Sequence, residues 1–93
     1  MNLTSKYDNM KELEIIFKGK GEVSIYDFKQ VKKTEKGYIY AIYDGNAVSH
    51  YEVFKRKENT QFGCISYPKA NSFGVWAWTF KDYTKSVDKL NKF

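Results

Sequence analysis

Apolar residues near the start of the chain fall at Leu3, Tyr7, Met10, Leu13, Ile16 and Phe17. Steps of three and four recur on one side of a helix. Gly19 and Gly21 follow, where a helix C-terminus is expected. The pattern predicts a helix over roughly residues 7–18, with a rival reading that puts Leu13, Ile15 and Phe17 on one face of a strand. Residues 23–33 alternate poorly but are rich in strand formers (Val23, Ile25, Tyr26, Phe28, Val31). Thr-Glu-Lys-Gly at 34–37 reads as a turn, and the aromatic and β-branched run 38–43 as a second strand. Asp44-Gly45-Asn46 is a hairpin signal, and 48–57 a third strand that ends at 58–60. Residues 62–67 read as a short fourth strand, stopped by Pro68, with 69–72 as a loop. From Val75 the chain alternates, with Trp76, Trp78 and Phe80 on one face and Val75, Ala77 and Thr79 on the other.

The last element has the sharpest pattern. Thr79 with Asp82 three positions on resembles a capping box. Phe80, Tyr83, Val87 and Leu90 then line one side of a helix, and Lys81, Lys85, Lys89 and Lys92 the opposite side. The element order predicts a single α+β domain over residues 1–93. It is an antiparallel β-sheet of four to five strands with an N-terminal helix and a C-terminal amphipathic helix.

Composition narrows the class. The chain has 93 residues, which is enough for one domain. It has 42% hydrophobic and 29% charged residues, the balance of a globular protein rather than a disordered tail. No apolar run approaches the ~18 residues of a membrane span, and the first residues lack the apolar core of a secretory leader. The one cysteine, Cys64, leaves no disulfide framework. These features predict a cytoplasmic protein with no membrane partner.

Charge is unevenly placed. Residues 1–54 carry eight lysines and eight acids, whereas residues 55–93 carry eight basic residues against three acids, so the whole net charge of +5 lies in the second part. Fifteen of the sixteen basic residues are lysine and only Arg56 is arginine. Lysine supplies diffuse positive charge rather than bidentate base or phosphate recognition. The reading is therefore an electrostatic surface made by Lys55, Arg56, Lys57, Lys81, Lys85, Lys89 and Lys92, facing an acidic protein surface or RNA.

Candidate chemistry is sparse. His50 and Cys64 are the only histidine and cysteine and stand fourteen positions apart, so no metal-ligand spacing arises. They make a nucleophile pair only if folding joins them. Glu12 and Glu14 do not share a helix face, and Glu52 is able to point to either side of its strand. Gly19-Lys20-Gly21 is too short for a phosphate loop. Residues 36–43 partly resemble the signature strand of RNA recognition motifs. Ile39 and Ala41 depart from it, and the element order is not that of the family. The expectation is a non-enzymatic protein with no catalytic residues, no metal and no cofactor.

Three stretches carry a resemblance: Gly-Lys-Gly-Glu-Val at 19–23, Tyr-Glu-Val-Phe-Lys-Arg at 51–56, and Phe-Gly-Val-Trp-Ala-Trp at 73–78 before the amphipathic helix. Together they resemble small phage- and prophage-encoded proteins. Size, composition and lack of catalytic residues are similar to anti-CRISPR proteins, in particular inhibitors of type VI-B RNA-cleaving effectors. The resemblance implies a partner, the host CRISPR effector nuclease or its guide-RNA complex, bound in the host cytoplasm by a monomer or homodimer. Basic charge argues against nucleic-acid mimicry and for either gripping an acidic protein surface or touching the guide RNA and the effector together. The alternative is a basic module for RNA or single-stranded nucleic acid.

Overall fold

The computed structural model describes residues 10–93. Five antiparallel strands form the main sheet, in the order β1-β2-β3-β4-β7. They are β1 (Ile16–Lys18), β2 (Tyr26–Lys33), β3 (Gly37–Asp44), β4 (Ala47–Lys55) and β7 (Ala77–Phe80). A separate two-stranded sheet pairs β5 (Glu58–Asn59) with β6 (Cys64–Ile65), and one α-helix, α1 (Tyr83–Leu90), closes the described chain. No described helix is long and apolar enough to cross a membrane.

Strand β3 is the centre. Its residues from Gly37 to Ile42 are all buried because both faces of the sheet are covered, which explains its unbroken apolar and aromatic run. On one face Tyr38, Tyr40, Ile42, Phe28 and Phe54 pack under the segment 10–15 and the loops around β5 and β6. On the other, Ile39 and Val53 pack against Leu90 and Val87 of α1, with Phe93 just beyond it. Gly45, at φ 64°, opens the two-residue turn between β3 and β4. Gly37 has a different reason. A Cβ there would meet the Phe54 carbonyl and lie 2.8 Å from the Phe93 ring.

The predicted N-terminal helix is not formed. Its first residues, 7–9, lie outside the described residues, and residues 10–18 run extended. Lys11 donates its N–H to the Gly63 carbonyl at 2.8 Å, Gln30 donates to the Ile15 carbonyl at 2.7 Å, and Ile16–Lys18 pairs with β2. Met10, Leu13 and Phe17 do reach the core, at the helical spacing read from the sequence. They do so from an extended strap that bends at Ile15, not from one side of a helix. Edge pairing with β2 and the core underneath decide the conformation, and the helical period is incidental. The fold is thus mainly antiparallel sheet with a single described α-helix.

Three smaller expectations also change. The segment 62–67 does not join the main sheet; its central Cys64–Ile65 pairs with β5, and β1 takes the fifth place. Trp76 and Trp78 do not share a face. Residues 74–76 form a turn, so Trp76 packs toward Phe54 while Trp78 packs toward Phe93 on the helix side. The helix cap is Asp82 itself, whose carboxylate accepts from the Thr84 N–H at 2.8 Å, while Thr79 belongs to β7. Ser86 is fully buried in the apolar side of α1, and its hydroxyl donates to the Asp82 carbonyl at 3.0 Å.

Candidate functional site

The seven basic residues of the predicted surface do not form one patch. Lys85, Lys89 and Lys92 gather with Phe80 and Asp88 around a shallow hollow of about 230 Å³ on the outer side of α1. Lys89 lies over the Trp78 ring at 4.0 Å from its centroid, a contact that stabilises by about 0.5–1 kcal/mol where it is partly exposed. Lys55 sits 5.7 Å from the Phe93 centroid on the same side. Lys81 reaches the Ser49 carbonyl at 3.2 Å. Ser49 is the extra residue of a bulge in β4, between the pairs Ile42 with His50 and Tyr43 with Val48. From residue 49 to residue 55 a strand spans about 20 Å, so these five lysines mark out a stripe of that length beside α1.

The other two lie elsewhere. Lys57 sits over Trp76, 5.1 Å from its centroid, on the opposite face of the sheet. Arg56 is held by the protein itself. Its Nη1 donates to the Glu12 carboxylate and, at 2.7 Å, to the Tyr38 hydroxyl, and its Nε donates to Glu58 at 3.4 Å. Tyr38 in turn donates to Glu12 at 2.8 Å, and Lys33 stands 3.4 Å from the same carboxylate. Burial alone would raise the Glu12 carboxyl, but hydrogen bonds from Arg56 and Tyr38 and the charges of Arg56 and Lys33 hold it below its ordinary value. Burial pushes the Tyr38 hydroxyl up and Glu12 adds to that, so Tyr38 remains a donor. The single arginine is therefore a tie between the strap 10–15 and the end of β4 rather than a free contact residue.

A groove of about 1050 Å³ lies on the sheet face away from α1, between β1 and the segment 67–73. The Phe17 and Phe28 rings stack there with centroids 4.8 Å apart and planes within 8°. Tyr67 stands across both, at 84° and 88°, so the three rings make a corner. Phe73 adds further apolar lining, and Glu14 and Glu52 contribute carboxylates. Glu52 points to this side, which its place between Tyr51 and Val53 left open. Its Oε1 accepts from Tyr67 at 2.6 Å, and its Oε2 lies 3.4 Å from His50 Nε2. Burial drives the Tyr67 hydroxyl far above its ordinary range, helped by the Glu52 charge, so it stays a donor to that carboxylate.

His50 completes its contacts with Ser49 Oγ at 3.0 Å from Nδ1, while Cys64 lies in the other sheet opposite Asn59. The structure does not bring the two into one pair. Among the described residues no three His, Cys, Asp or Glu side chains group as metal ligands. The groove was not visible in the sequence, because its rings come from positions 17, 28, 67 and 73 with no common period. Comparison of the chain with protein-family models, with curated proteins and with solved structures gives no match.

Proposed function

We propose that the chain is a non-enzymatic binding protein that docks through the α1 side of its sheet onto an anionic surface. The observation that carries this reading is the lysine stripe: Lys85, Lys89 and Lys92 beside α1, with Lys81 and Lys55 at its two ends. Five of the eight basic residues of 55–93 thus stand on one side of the molecule, where positive charge raises encounter rates and selects acidic partners.

The aromatic residues beside the stripe bear on the kind of partner. Trp78 and Phe93 are half-buried, and ammonium groups of Lys89 and Lys55 lie over their rings. Unpaired bases stack on open ring faces, so this arrangement favours an acidic or phosphate-lined surface over base stacking. The resemblance to anti-CRISPR proteins names a specific partner of that kind, a host effector ribonucleoprotein inhibited by stoichiometric binding.

A pull-down of the tagged protein from a CRISPR-bearing lysate, with and without RNase, tests the reading. Recovery of one effector nuclease that persists after RNase is the expected result. Mixed RNAs and RNA-binding proteins, all lost on RNase treatment, would favour a nucleic-acid-binding module instead.

A further inference from the structure

The groove on the face away from α1 holds an ionic arrangement that the proposed docking surface does not use. Glu52 is the most enclosed carboxylate among the described ion pairs, with its side chain 14% exposed. Among the described residues no lysine or arginine pairs with it. Its Oε1 accepts from the Tyr67 hydroxyl at 2.6 Å, and its one basic neighbour among the described residues is His50, which is charged only when protonated. A carboxylate set among apolar rings is costly unless a positive charge meets it. Aromatic rings attract that charge as well, because the π face is the negative end of the ring quadrupole.

Opposite charge also lines the groove. Lys18 is paired with Asp27 at 2.9 Å, whereas Lys20 and Lys69 line the groove with no acidic partner among the described residues. The groove therefore offers the Glu52 carboxylate beside rings, and among its exposed lining the lysines Lys20 and Lys69 against one acid, Glu14.

We infer that this groove binds a small zwitterion: an organic cation, guanidinium or ammonium, seated beside Glu52 against the Phe17, Phe28 and Tyr67 rings, with its own anionic group toward Lys20 and Lys69. A charge-assisted hydrogen bond to Glu52 and the ring contacts hold the cation. The two lysines discriminate for a ligand that carries an acid at the other end. This site stands on the face opposite the lysine stripe and does not rest on the docking reading.

Titration of the ¹⁵N-labelled protein tests it, with agmatine as a cation lacking an acid and N-acetylarginine as one that carries an acid. The expected result is saturable shift changes at residues 14–20, 52 and 67–73 with both probes, N-acetylarginine binding several-fold more tightly. Glu52→Gln keeps an oxygen for the Tyr67 hydroxyl and removes the charge, so affinity for both probes falls about tenfold or more while the thermal midpoint is retained. Phe73→Leu weakens both probes without touching a charge. Lys20→Ala with Lys69→Ala abolishes the preference for N-acetylarginine and leaves agmatine binding in place. Shifts absent with both probes, or equal affinity for them in wild type, overturn the inference. So does unchanged affinity in Glu52→Gln. Binding of guanosine monophosphate at these residues, with neither cation bound, reassigns the groove to nucleotides and also overturns it.

Discussion

Arg56 shows how a residue type misleads when its neighbours are unknown. As the only arginine in a lysine-rich chain it reads as one member of the basic binding surface. In the fold it donates to Glu12, Tyr38 and Glu58 and fixes the strap to the sheet. Lysine has one ammonium and no fork, so Arg56→Lys should lose at least one of these contacts. A loss of about 1–2 kcal/mol is expected, read by urea unfolding. Glu12 adds a pH signature. Its carboxyl sits lower in the folded chain than in the unfolded one, so its contribution is fully present above the unfolded value of about 4.3. The contribution is lost as pH falls through the lower folded value. Glu12→Gln removes this titration. The gap in stability between wild type and variant should be widest near neutrality and begin to narrow as pH falls below about 4.3, in denaturation curves taken from pH 3 to 7. Gly37 supplies a third test at this scale. Alanine there forces its Cβ onto the Phe54 carbonyl and the Phe93 ring, and strain of this kind costs about 1–3 kcal/mol.

At the level of elements, what could be read depended on whether the burial pattern was local. The β3–β4 hairpin was legible because Asp44-Gly45-Asn46 sets the turn and the strands on both sides bury one or both faces. Helix α1 was legible because its apolar and lysine positions alternate at the helical period over one short element. The strap 10–15 was not. Leu13 and Phe17 are buried by residues far along the chain, including Tyr67 and Tyr40, and Met10 joins the same cluster. Three residues that meet the core from an extended strap have the same spacing as one face of a helix. The faces of Trp76 and Trp78 failed for a related reason, since a turn at 74–76 interrupts the alternation before the strand begins. Phe93 ties α1 to the sheet from a position just beyond the helix end. Its ring meets Trp78 at 5.6 Å and covers Gly37. Phe93→Ala should cost about 1–3 kcal/mol, less than a fully buried phenylalanine because the ring is half-exposed. The loss would appear as faster exchange of the α1 amides relative to those of β3.

Over the whole molecule, the sheet separates two surfaces of different chemistry. One side has α1 and the lysine stripe, the other an aromatic groove with carboxylates inside. The charge excess of residues 55–93 told that a basic face exists, and the helical lysine period told where most of it lies. Nothing in the sequence separated Arg56 and Lys57 from it, because strand β4 ends at Lys55 and the chain then turns to the far face. A binding surface built from exposed lysines acts mainly through association rate, since solvated charges steer encounter more than they strengthen the bound state. Lys85→Glu with Lys92→Glu tests this without disturbing the fold, because both side chains are exposed, and the Lys89 contact with Trp78 is left intact. The variant should keep the thermal midpoint of the wild type. Its association rate with the captured partner should fall about tenfold at low salt, and the difference should shrink as ionic strength rises toward ~1 M, where the screening length is about 3 Å. Arg56→Lys should show the reverse, a lower midpoint with an unchanged rate for the molecules that remain folded. If both variants lowered the midpoint and neither changed the rate, the stripe would be a solvated face and the docking assignment would have to move to another surface.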